Sequence, residues 1–133
     1  MVKNIYKILF VLSVQAILLT ACNGVTQATE SISQQDLMTM ITSGDSPVIL
    51  DVRTPREFED GHVPGAINIS HDELSGRLDE LVQHKESAIV VYCRSGKRAG
   101  IAESILLDAG FQHLKHLRGD MMAWSNARLP IEH

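Results

Sequence analysis

Ala88-Ile89-Val90-Val91-Tyr92-Cys93-Arg94-Ser95-Gly96-Lys97-Arg98-Ala99 is the stretch on which the reading of the fold turns. Its first five residues form a short apolar run rich in β-branched side chains, the pattern of a buried strand. From Arg98 to Ala109 apolar residues recur at helical spacing. Ile101, Ala102, Ile105, Leu106 and Ala109 are expected to face inward, and Gly110 follows as a stop. A strand that turns directly into a helix puts Cys93 before the free N–H groups of the helix's first turn and the positive end of its dipole. That setting favours a thiolate over a thiol and attracts anions. Arg94, Lys97 and Arg98 add three positive charges within five residues. Cys93 therefore reads as a nucleophile, and Arg94, Ser95, Gly96, Lys97 and Arg98 as a cradle for an anion. Gly96 lets the backbone curl without a Cβ clash, and Ser95 offers a hydroxyl.

Outward from this turn, strand and helix signals alternate. Strands are expected at Glu30–Ile32, Val48–Val52, Ala66–Ile69 and His113–Leu117, besides Ala88–Tyr92. Ser33 is a plausible helix N-cap with Asp36 in the first turn; Leu37, Met40 and Ile41 share a face, and Gly44 ends it. Pro55 opens a short helix through Phe58 to about Asp60. Ser70 and Glu73 fit a capping box ahead of Leu74, Leu78, Leu81 and Val82, which predicts another helix there. A short last helix is expected over Met121–Asn126. Five strands alternating with helices give an α/β fold: a five-stranded, mostly parallel sheet with helices on both faces. Ligands of such folds bind outside the C-terminal ends of the strands, which is where Cys93 falls.

The chain has 133 residues, enough for one domain, and an ordinary globular composition of 44% hydrophobic and 21% charged residues. Residues 1–21 read as an export signal: Lys3 and Lys7 form the positive n-region, and Ile8–Leu19 is an apolar run too short to span a membrane comfortably. Losing Lys3 and Lys7 takes the formal charge from −4 to −6. An acidic chain is a poor nucleic-acid binder, and the basic cluster at 94–98 stands out against it. Leu19-Thr20-Ala21-Cys22 resembles the bacterial lipoprotein box, which makes Cys22 the lipidation site and residues 22–30 a polar tether to a domain at 31–133. The expected location is the bacterial cell envelope, lipid-anchored and facing the periplasm. Cleavage near Ala28 would instead give a soluble periplasmic protein. With Cys22 lipidated, Cys93 has no partner in the chain, as a reactive thiol requires.

Three motifs carry a family resemblance over about residues 31–130. The first is Asp51-Val52-Arg53-Thr54-Pro55-Arg56-Glu57-Phe58, followed by Gly61-His62-Val63-Pro64-Gly65-Ala66-Ile67-Asn68-Ile69. The second is Val91-Tyr92-Cys93-Arg94-Ser95-Gly96-Lys97-Arg98-Ala99. The third is Leu117-Arg118-Gly119-Asp120 leading to Ala123-Trp124. Together they resemble the rhodanese-like (sulfurtransferase) family. The third departs from its pattern, since a second glycine is usual where Asp120 stands. Aspartate tolerates positive φ better than most residues, can cap the last helix, and brings a carboxylate towards the active face.

The resemblance implies transfer of sulfane sulfur from thiosulfate or a persulfide donor, through a persulfide on Cys93, to cyanide or a thiol acceptor. The partners implied are a small sulfur-containing anion, its acceptor and, on some routes, a protein sulfur donor or acceptor; no cofactor is called for. The competing readings are an envelope sulfur carrier or binding module, and a thiol redox sensor. Cysteine phosphatases of the related fold need an arginine after five intervening residues, where this chain has Ala99; Arg98 comes one residue early. Asp51, Arg53 and Glu57 read as an ion-pair network holding the first loop, with substrate contact by Arg53 as the alternative. His62 reads as a loop-packing histidine rather than a general base. No metal site is expected: His71, His84, His113, His116 and His133 share no ligand spacing with a cysteine, and His113 and His116 lie three apart on an expected strand, on opposite faces. Trp124 and the Met121-Met122 pair read as core or pocket rim.

Overall fold

The computed structural model describes residues 29–133; the signal, Cys22 and most of the tether lie outside the described residues. Along the chain run β1 (Glu30–Ile32), α1 (Gln34–Ser43), β2 (Val48–Asp51), α2 (Pro55–Glu59), β3 (Ile67–Asn68), two 3₁₀ segments (Leu74–Gly76 and Leu78–His84), β4 (Ile89–Tyr92), α3 (Lys97–Asp108), β5 (Leu114–Leu117) and α4 (Asp120–Asn126). The five strands form one sheet in the order β1-β5-β4-β2-β3, and every pairing is parallel. This is the expected α/β architecture.

Side chains alternate along a strand, so each strand feeds two cores. From β2 and β4, Leu50, Ile89 and Val91 point to one face, where Leu74 and Leu81 of the 3₁₀ segments and Ala99, Ala102 and Leu106 of α3 cover them. Ile49, Val90 and Tyr92 point to the other, under Leu37 of α1 and Met121 and Trp124 of α4. All four residues of β4 are buried. Cys93, the next residue, continues the Ile89 and Val91 parity and belongs to the α3 face.

Local chemistry explains most element ends. Ser33 accepts from Asp36 N–H at the start of α1, and Gly44 closes it with φ 82°. Thr54 and Glu57 form a reciprocal capping box with Pro55 in the first turn of α2. Three expectations are corrected. The segment after Ser70 is not an α-helix with a capping box: the Ser70 hydroxyl is buried and donates to Arg53 O at 2.9 Å. The chain then proceeds in i→i+3 bonds such as Arg77 N–H to Leu74 O, with Val82 exposed. On α3 the inward stripe is Ala99, Ala102, Glu103 and Leu106; Ile101 faces solvent. Asp120 does not cap α4 with its side chain, because its carboxylate is engaged elsewhere.

A single charged pair ties the end of β2 to the loops beyond it. Asp51 is fully buried and Arg53 nearly so. Arg53 donates from Nε at 3.0 Å and from Nη2 at 2.6 Å to the Asp51 carboxylate, and Nη2 also donates to Gly61 O at 2.8 Å. The guanidinium lies 5.7 Å from the Tyr92 ring centroid, and Tyr92 Oη accepts from Val63 N–H at 3.1 Å. Removing one member of a buried pair leaves the other charge uncompensated. Asp51→Ala is therefore expected to lower the unfolding free energy by about 3–5 kcal/mol, read from urea denaturation; a loss below about 1 kcal/mol would show that the pair is not what holds these loops.

Candidate active site

Cys93 sits where β4 ends and is 1% exposed. The cradle is short: Gly96, at φ 110°, is the N-cap of α3, and its N–H donates to Cys93 Sγ at 3.0 Å. The sulfur thus already faces the amide end of a 12-residue helix. The Gly96 glycine is required twice over. Its φ is left-handed, and a Cβ there would sit 3.2 Å from Asp120 Oδ2.

Both backbone groups of Cys93 are held by α4. Its N–H donates to Asp120 Oδ1 at 2.8 Å, and its carbonyl accepts from Met121 N–H at 3.0 Å; Met122 N–H donates to the Arg94 carbonyl at 3.1 Å. Asp120 adopts φ 55°, as its place in a glycine-favouring position leads one to expect, and is 1% exposed. Its other oxygen, Oδ2, lies 3.0 Å from His116 Nε2, and His116 Nδ1 lies 2.5 Å from Glu103 Oε1. Hydrogen bonds to Asp120, and then to Glu103, raise the His116 pKa from 6.5 to about 10.

The cations predicted for the cradle divide in two. Arg98 is clamped by Glu57, Nη1 to Oε2 at 2.7 Å and Nη2 to Oε1 at 2.9 Å. The Glu57 bonds raise the Arg98 pKa, and the nearby Cys93 sulfur adds to the rise. Arg94, Ser95 and Lys97 are exposed, and among the described residues neither Arg94 nor Lys97 has an ion pair. Arg53, Glu57, Arg94, Met121 and Met122 line an open groove of about 540 Å³; Met122 is exposed rim, Met121 joins the groove to the core, and Trp124 is core.

The expected network of Asp51, Arg53 and Glu57 is therefore two pairs. Asp51 and Arg53 hold the loop, while Glu57 leaves them and couples the loop to the cradle through Arg98. His62 packs as expected of a loop histidine: its ring stacks on Phe58 at 3.6 Å between centroids, and Nδ1 lies 2.8 Å from Phe58 O. Its backbone pairs with Glu132. Glu103 goes unmarked in the sequence, and His116 is weighed there only as a metal ligand. The available signal was a glutamate on the stripe of Ala99, Ala102 and Leu106, a position that demands a cationic partner.

Bonding to Arg98, and then to Thr54, lowers the Glu57 pKa from 4.5 to about 2. A carboxylate with a depressed folded-state pKa stabilises above its unfolded pKa and loses that contribution as pH falls. The stability difference between wild type and Glu57→Gln is accordingly expected to be full above about pH 4.5 and to shrink towards pH 2. Urea titrations at several pH values check this; a difference independent of pH would refute the clamp.

A family model for the rhodanese-like domain matches residues 33–127. The chain is 30% identical to a sulfurtransferase of Allochromatium vinosum over 100 residues, which covers 75% of this chain and 92% of that one. It is 37% identical over 70 residues to the thiosulfate sulfurtransferase PspE of Escherichia coli, covering 53% and 67% respectively. Among solved structures, a protein of unknown function from Rhodopseudomonas palustris, described as a possible tyrosine phosphatase, superposes with a TM-score of 0.70 at 31% identity. That match covers 78% of this chain and 85% of the other. The chain belongs to the rhodanese-like family.

Proposed function

We propose that this rhodanese-like chain is a sulfurtransferase that carries sulfane sulfur as a persulfide on Cys93. The observation that carries the reading is the Gly96 N–H on Cys93 Sγ at the head of α3, beside a guanidinium held by Glu57. The Cys93 thiolate attacks the outer sulfur of thiosulfate. A new sulfur–sulfur bond forms, the bond to the sulfonate sulfur breaks, and sulfite leaves with its electron pair. The cradle amides then face the persulfide's terminal sulfur. Attack on that sulfur by cyanide or a thiolate returns Cys93 as the thiolate and completes the exchange.

In this reading Arg94 and Lys97 draw in the anionic donor, Arg98 stands by the sulfur, Ser95 offers a hydroxyl, and Gly96 shapes the loop. Arg53 is architectural in this reading, since its Nε and Nη2 donate to Asp51 and Gly61. A phosphatase would need an arginine at position 99, and Ala99 is fully buried in the core. The proposed setting is the bacterial envelope, with the domain lipid-anchored through Cys22 and facing the periplasm. Support for that comes from Lys3, Lys7, the apolar run and the Leu19-Thr20-Ala21-Cys22 box.

Cys93→Ser is expected to cut thiosulfate:cyanide turnover by more than about a thousandfold. Mass spectrometry of thiosulfate-treated wild type should find one extra sulfur on the Cys93 peptide. Equal turnover by the two proteins removes the nucleophile assignment, and lack of any adduct removes the persulfide. Metabolic labelling with a fatty acid tests the anchor: Cys22→Ala should lose the label, and a variant that keeps it disproves lipidation at Cys22.

A further inference from the structure

We propose that His116 is a positioning residue that sets the charge preference of the Cys93 site: its imidazolium cancels the buried Asp120 carboxylate that grips the Cys93 amide, and so keeps the cradle open to an anionic donor. This role rests on the sulfurtransferase reading and names which donors that site admits.

The geometry creates a conflict that something must resolve. An anion cradle works by turning N–H groups and positive charge towards its occupant. Asp120 does the reverse. The residue is 1% exposed; its carboxylate takes the Cys93 N–H at 2.8 Å and lies 3.2 Å from the point a Gly96 Cβ would occupy. Left alone, a buried negative charge so near the sulfur would repel a sulfur-bearing anion. His116, arriving from β5, lies against the same carboxylate at 3.0 Å. Its second nitrogen faces Glu103 of α3 at 2.5 Å.

Ionised carboxylate oxygens only accept hydrogen bonds, so a ring flanked by two of them donates from both nitrogens and is the imidazolium. Glu103, nearly buried on α3, holds the far nitrogen and aims the ring at Asp120. His116 Nε2 is itself only 3.6 Å from the Gly96 Cβ position. The positive ring therefore stands directly behind the cradle, next to the charge it cancels.

The test compares alkylation of Cys93 in the full-length protein by iodoacetate, an anion, and iodoacetamide, its neutral counterpart, followed on the Cys93 peptide by mass spectrometry. The ratio of the two rates cancels the thiolate fraction and reads the local potential. His116→Gln should lower the iodoacetate-to-iodoacetamide ratio, and Asp120→Asn, which keeps the hydrogen-bond acceptor, should raise it, each by about fivefold or more. The double variant should return to within about twofold of wild type. Shifts of the same sign in both single variants, or an unchanged ratio, overturn the role. Should His116→Gln fail to give a cooperative melt, Asp120→Asn decides alone: a higher ratio supports the role and an equal or lower one overturns it. For thiosulfate, His116→Gln should raise KM about tenfold with kcat within about threefold; a fall in kcat at constant KM marks a merely structural histidine. Wild type that turns over no thiosulfate defeats the sulfurtransferase reading, while the alkylation ratios still judge His116.

Discussion

The site depends on the way α4 holds the backbone of Cys93. A residue at the end of a central parallel strand has a free N–H and C=O, and both must find partners once the flanking helices exclude water. Here the N–H goes to Asp120 Oδ1 and the C=O to Met121 N–H. With its backbone fixed on that side, Cys93 can present only its side chain to the turn. Strand parity sends that side chain towards α3, and there the Gly96 amide meets it. The position of the sulfur thus follows from sheet register, a helix start and two hydrogen bonds.

Charge around the sulfur is arranged by depth. The deepest cation among the described residues, Arg53, commits Nε and Nη2 to Asp51 and Gly61 and stabilises the loops. Arg98, half-buried, is shared with Glu57, which fixes its plane by two bonds while its charge still reaches the cradle. Arg94 and Lys97 are exposed and unpaired among the described residues, so they retain the mobility and hydration suited to capturing an anion from solution. Fixed cations near the chemistry and free ones at the rim divide orientation from attraction. The overall acidity of the chain makes that local patch more selective, since it repels anions elsewhere.

The fold was legible because β2 and β4 are short apolar runs, the first opened by Pro47, and because Cys93 lies where the second meets a helical period. The turn over residues 94–96 between β4 and α3 was legible for the same reason, whereas left-handed backbone at Asp120 was legible only through the family resemblance, which puts a glycine there. The segment after Ser70 was not: Leu74, Leu78 and Leu81 satisfy a helical spacing, yet Ser70 spends its hydroxyl on Arg53 O, and Gly76 falls where a helix would need a better former. Glu57 was read with the wrong partner because proximity in sequence to Asp51 and Arg53 says nothing of Arg98, 41 residues on. The chain of Glu103, His116 and Asp120 escaped for a similar reason. Its members come from three elements, and only the packing of α3 and α4 against β5 brings them together.

Asp120 is the position at which this chain pays most attention to its own site. A non-glycine residue in the left-handed region costs on the order of 1 kcal/mol, less for aspartate than for most. A hydrogen bond to a charged acceptor returns about 1.5–3 kcal/mol, and Asp120 makes one to the Cys93 amide and another to His116. Either bond is enough to offset the backbone cost, and together they hold the residue in its left-handed conformation. Glycine there would relieve the backbone but leave the Cys93 N–H without this acceptor and His116 with Glu103 alone. The aspartate thus exchanges a relaxed turn for a fixed cysteine backbone and a buried charge, and the charge is bearable beneath an anion cradle because a histidine stands beside it.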